Sequence, residues 1–171
     1  LATVAVVAIF TRPRLFKGFL AAPGTPRNVL VMVDATASMG FVEGGQTRFF
    51  SAAAKASQVL GGLRGGDRAN VIWIRREPGA VFPELGVNIA HLRRELRRAT
   101  VTREAGDIRA AFALAGEMVA GVAGGAELVV ISDFQESAWG GIELPVPPSA
   151  HVTAVKIGST AEPNVAVERL Q

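Results

Sequence analysis

Apolar positions along the chain fall into short unbroken runs separated by turn residues, and these runs alternate with stretches of helical spacing. Residues 29–33 (VLVMV) are continuously apolar and end on Asp34, the pattern of a buried strand. Residues 47–60 are Ala-rich and predict a helix with Phe50, Ala53, Ala54 and Val59 facing inward. Gly61-Gly62 ends it, and Gly65-Gly66-Asp67 makes a turn. A second buried strand is predicted over 69–74, and an edge strand over 80–85, interrupted by Pro83. Asn88 is placed to cap a helix reaching Arg98, with Ile89, Leu92 and Leu96 inward. After a polar loop at 100–106, Asp107 stands at the N-cap of a helix over 108–120. Residues 127–132 (ELVVIS) form a third buried run ending on Asp133, 152–157 a fourth, and 165–170 alternate as a further strand candidate. Strands alternating with helices predict an α/β fold whose sheet is mostly parallel and covered on both faces.

Composition narrows the classes. The 171 residues suit one globular domain, and 49% apolar content argues against disorder. The net charge of +3 comes from Arg far more than Lys, and no segment interleaves basic with aromatic residues, so nucleic-acid binding is not expected. Zero Cys removes disulfides and thiolate metal sites. Residues 1–10 (LATVAVVAIF) are apolar and uncharged, and Arg12, Arg14 and Lys17 follow. Ten residues cannot span a bilayer. Because the chain starts on Leu, the run reads either as the trailing end of a transmembrane helix or as a buried element.

The chemistry concentrates where the first strand stops. Asp34, Thr36 and Ser38 occupy every second position of one short loop at a strand's carboxyl end, the edge at which parallel sheets place ligands. One carboxylate with two hydroxyls suits a hard divalent cation, Mg²⁺ first. The plainer reading is an Asp cap with hydroxyls tying down a turn. Asp133 ends another parallel strand, and Asp107 begins a helix on the same rim, so three carboxylates are predicted to gather around one point.

This spacing resembles the DxSxS motif of von Willebrand factor type A (vWA) domains, with Thr36 in the first Ser position. The family builds a metal-ion-dependent adhesion site from that motif, a Thr from a later loop and an Asp after the fourth strand. Asp133, in ISDF, resembles the last Asp of the family's TDG pattern. Gly106-Asp107 falls where the family has Gly-Thr. This departure would add negative charge and make a partner's carboxylate less welcome at the metal, unless Thr100 or Thr102 supplies the hydroxyl. Arg12-Pro13, Pro26-Arg27, Gly66-Asp67-Arg68, Ser132-Asp133 with Trp139, and the closing EPNVAVERL resemble the BatA-like, aerotolerance-type bacterial vWA proteins. That resemblance implies a Rossmann-like three-layer fold with one short antiparallel edge strand. The division it implies is 1–22 as a transmembrane helix end with a basic juxtamembrane segment, 23–28 as linker, 29–160 as the vWA domain, and 161–171 as the start of a following segment. It also implies a membrane-anchored parent, and the family's layout favours the extracytoplasmic face for the domain. The basic residues after the apolar run favour the cytoplasm instead, so the side stays open. Sibling vWA proteins or a MoxR-type ATPase are the implied partners, and Mg²⁺, Ca²⁺ or no metal the implied cofactor.

Two rivals remain at this stage. A haloacid-dehalogenase-type phosphatase would use Asp34 as a phosphorylated nucleophile. It would also need a Lys between the motif strands, and none lies between Lys55 and Asp133. A vWA fold without a working metal site is the other. His91 and His151 read as structural or surface residues. Arg93, Arg94, Arg97 and Arg98 around Glu95 read as a solvated helix face, and Trp73 as core. Trp139 is a candidate contact residue, since Trp is enriched at interface hot spots.

Overall fold

The computed structural model describes residues 25–158. The proposed membrane-helix end at 1–22, the strand candidate at 165–170 and the closing segment at 161–171 lie outside them. Five strands form the main sheet: β1 (Asn28–Asp34), β4 (Arg68–Ile74), β5 (Gly79–Ala80), β6 (Ala126–Ser132) and β7 (Ala150–Lys156). Their order is β5-β4-β1-β6-β7. β4, β1, β6 and β7 run parallel, and β5 is antiparallel at the edge. A small hairpin, β2 (Val42–Glu43) with β3 (Gln46–Thr47), stands apart from this sheet.

Three long helices and one short one cover the two faces. Alternation along β1 sends Val29, Val31 and Val33 toward α1 (Arg48–Gly61) and α2 (Ile89–Arg98), whose Phe49, Ala52, Ala56, Leu60, Leu92 and Leu96 complete one core. Leu30 and Met32 face the other side, where α3 (Ile108–Val119) contributes Ile108, Phe112 and Val119 and the short α4 (Glu136–Trp139) contributes Trp139. The expected three-layer fold with a short antiparallel edge strand is therefore present. Among the described residues no helix is long and apolar enough to cross a membrane.

Three expectations need correction. The inward face of α1 is rotated by one residue: Phe49 is buried while Phe50 is 60% exposed. Thr47 caps the helix by accepting from Phe50 N, and from that start Phe49, Ala52, Ala56 and Leu60 make one stripe at helical spacing. The edge strand at 80–85 shrinks to two residues. Asn70, fully buried in β4, donates to Phe82 O and Glu84 O and accepts from Phe82 N. Its side chain thus takes over the strand's pairing while the chain bows out at Pro83 and returns at the Ala69–Gly86 bridge. Trp139 is 7% exposed, packed against Phe134 at 4.7 Å between ring centroids. It is a core residue of the second face, so it offers no contact surface.

Candidate functional site

β1 lies between β4, which follows it, and β6, which comes later from the other side. Strand order reverses there, and the crevice beyond the carboxyl ends of β1 and β6 is where such sheets bind ligands. Asp34 ends β1 in that crevice and is 2% exposed. Its Oδ1 accepts from Thr36 N at 3.0 Å, and its Oδ2 accepts from the Ser132 hydroxyl at 2.6 Å. Burial pushes the Asp34 carboxyl above the usual carboxylate range, and the nearby Asp133 charge adds to that; the bonds from Ser132 and Thr36 oppose it.

The loop after Asp34 folds back in a 3-10 turn over Ala37–Gly40, which brings the Thr36 and Ser38 hydroxyls to 3.2 Å from each other. The 100–106 loop pins it from outside. Thr102 N and the Thr102 hydroxyl both donate to Ala35 O, at 2.7 and 3.1 Å. Gly106 packs so tightly that an added Cβ would lie 2.7 Å from Thr36 Cγ2 and 3.2 Å from Ile74 Cγ2.

Asp133 follows β6 and is 6% exposed. The chain turns immediately after it through Phe134, whose φ of +49° is rare for a bulky residue. Phe134 N donates to the Ser132 hydroxyl, so one hydroxyl ties that turn to Asp34. Arg48, in the first turn of α1, places Nη1 3.3 Å from Asp133 Oδ2 and Nε 3.5 Å from Glu43 Oε2.

The profile of the von Willebrand factor type A domain matches residues 29–136, from the first strand through the turn after Asp133. The chain belongs to this family. Several solved structures share the vWA fold. An aerotolerance-related membrane protein from Bacteroides fragilis NCTC 9343 is 17% identical, with a TM-score of 0.65 over 83% of this chain and 73% of that one. The conserved hypothetical protein BatB from Bacteroides thetaiotaomicron is 16% identical, with a TM-score of 0.61 over 76% of this chain and 66% of that one. The vWF domain of the type V pili tip protein Mfa5 from Porphyromonas gingivalis is 20% identical, with a TM-score of 0.54 over 63% and 38%. At these identities the likeness is one of fold, and this chain spans two thirds or less of the second and third structures. No curated protein matches the sequence of this vWA domain.

Of the five residues singled out in the sequence, Asp34, Thr36, Ser38 and Asp133 converge on the crevice. Asp107 does not join them in a three-carboxylate cluster: among the described residues no group of three or more His, Asp or Glu is arranged to hold a metal. Asp107 is exposed, and its Oδ1 accepts from Ala110 N at 2.8 Å as the N-cap of α3. A carboxylate at a helix N-terminus is stabilised there by the backbone donors and the macrodipole. The donor set still fits a divalent cation. A buried carboxylate beside a second one lacks full charge compensation, and two hydroxyls lie next to it, all hard oxygen ligands. Arg48 escaped the sequence reading, and Ser132 entered it only beside Asp133 in a family motif, without a role in the site. Ser132 interrupts an apolar strand at its last position. Arg48 is a cation in the first turn of a helix that has no acid there, against the dipole preference.

Proposed function

We propose that this vWA domain is a non-enzymatic protein-interaction module of a membrane-anchored bacterial protein. A divalent cation, Mg²⁺ before Ca²⁺, sits at the carboxyl edge of its sheet. The convergence of Asp34, Thr36, Ser38 and Asp133 at the point where strand order reverses carries the reading. Asp107 contributes through water, its Oδ1 being held by the cap. Structural neighbours described as an aerotolerance-related membrane protein and a pili tip protein support the reading of a membrane-associated interaction module. Partners of this class are sibling vWA proteins or a MoxR-type ATPase, with the domain on the extracytoplasmic face.

A phosphatase role is disfavoured by the absence of a Lys between Lys55 and Asp133 to stabilise a transferred phosphoryl group. A metal-free scaffold is the second reading, favoured by the Arg48–Asp133 pair, which already places a cation on one of the two carboxylates. Calorimetric titration of Mg²⁺ and then Ca²⁺ into the chain, with Asp34→Ala alongside, separates the two. Saturable binding that the variant loses is the expected result. A folded wild-type chain that takes up neither ion would leave the scaffold.

A further inference from the structure

The position of Arg48 runs against the helix dipole. It stands at N1 of α1, where the helix presents its positive end and where acids are preferred. Its side chain is nonetheless only 11% exposed. What holds it is the rim of the crevice. The guanidinium reaches Asp133 at 3.3 Å and Glu43 at 3.5 Å, and its Cζ lies 4.7 Å from the centroid of the Phe41 ring. Gly158, where the chain leaves β7, lies against the same group. An added Cβ there would be 2.9 Å from Arg48 Nε and 3.1 Å from Glu43 Oε2. Three separate segments therefore meet on one cation: the stretch from Phe41 into the β2–β3 hairpin, the turn after β6 at Asp133, and the exit of β7.

Both ion-pair distances are long for charge-assisted bonds, which run about 2.7–2.9 Å. Arg48 is thus held in place by charge and stacking more than by a tight bidentate grip. A divalent ion coordinated by Asp133 would put a second and larger positive charge on the oxygen pair that Arg48 faces.

We propose that Arg48 is a resident counter-cation that competes with a divalent ion for Asp133, so that metal uptake releases Arg48 and is transmitted to Phe41, the β2–β3 hairpin and Gly158. This inference rests on the metal reading above and adds a regulatory contact to it. It makes the rim two-state: closed on Arg48 without metal, and open at Phe41 and the hairpin with it. Phe41 and Val42 are 45% and 59% exposed, so the segment that responds is already on the surface a partner would meet.

The test compares Mg²⁺ titrations of the wild-type chain and Arg48→Gln by calorimetry, with circular dichroism confirming that the variant is folded. NMR of the wild-type chain then follows the Arg48 Nε–Hε signal, the Phe41 ring and the Gly158 amide during the same titration. Arg48→Gln is expected to bind Mg²⁺ more tightly, by on the order of tenfold, once the competing cation is gone. The three wild-type signals are expected to shift together and saturate with the metal. Equal or weaker binding by a folded Arg48→Gln, or wild-type binding that leaves those signals unmoved, overturns the competition and spares the metal site. No binding to either protein overturns both. If the variant does not fold, the wild-type NMR titration decides alone.

Discussion

Asp34 illustrates how much a single position can carry. Its carboxyl is held above the ordinary range by burial first, so the folded chain binds that proton more tightly than the unfolded chain does. Between the ordinary and the raised value the folded state therefore holds more protons. Stability falls as pH rises through that window and stays lower above it. Asp34→Asn removes this titration. In metal-free buffer the variant should be more stable than wild type at neutral pH, and the gap should close as the pH drops through the ordinary carboxylate range. Denaturant midpoints of both proteins from about pH 3 to pH 8, with EDTA present, check it; a variant less stable at neutral pH would contradict the burial argument. Gly106→Ala tests the neighbouring contact. The new Cβ has no room beside the short Thr36 and Ile74 side chains, so a cost of about 1–3 kcal/mol is expected in chemical unfolding, together with loss of any Mg²⁺ binding that depends on Thr36. Asp34, Thr36 and Ser38 were legible because they are adjacent in sequence. The Ser132–Asp34 bond joins residues 98 apart, and no local pattern announces it. Phe134 was equally hidden: nothing in a bulky aromatic residue signals a positive φ, and only its place after Asp133, where the family's TDG pattern carries Gly, marks the turn.

At the scale of elements, the long buried strands could be read from composition alone because both faces of β1 and β6 are covered, leaving continuous apolar runs. Helix starts were readable where a cap is chemical. Asn88 and Asp107 each accept a backbone N–H of the first turn. The face of α1 was misread because its Ala-rich stretch offers several stripes of similar hydrophobicity, and the Thr47 cap, rather than the apolar content, sets which stripe turns inward. The 80–85 segment was misread for a different reason. Beyond Val81 its pairing is done by an Asn side chain from the neighbouring β4, which resembles no strand signal. Asn70→Ala should therefore cost about 1–3 kcal/mol, by leaving the Phe82 and Glu84 backbone groups without their partner. Hydrogen exchange should show faster exchange confined to residues 79–86. Faster exchange spread evenly over the sheet would mean that Asn70 supports the core instead. In α2, the four arginines read as a solvated face are exposed, with Arg98 paired to Glu95 and Arg93 to Ser57.

For the molecule as a whole, a ligand that binds only the folded form adds stability by mass action. Mg²⁺ at a hundred times its dissociation constant should add about 2.7 kcal/mol, a rise in Tm of roughly 5–10 °C for a domain of this size. EDTA should reverse the rise, and Asp34→Ala should abolish it. An unchanged Tm at saturating Mg²⁺ would separate any observed binding from the folded crevice. The strand directions have a mechanical consequence as well. The chain enters β1 at the pole where Arg27 pairs with Glu127, at 2.6 Å, and leaves β7 at the opposite pole, beside Arg48. A pull applied between residues 25 and 158 would run along the strands and load the β1–β6 and β6–β7 ladders in shear, all bonds at once instead of one after another. The line of that pull passes through Gly158 and the guanidinium it rests on. A stretched tether and a bound cation would then act on the same contact, which would make this rim a place where mechanical load and chemical occupancy are felt together.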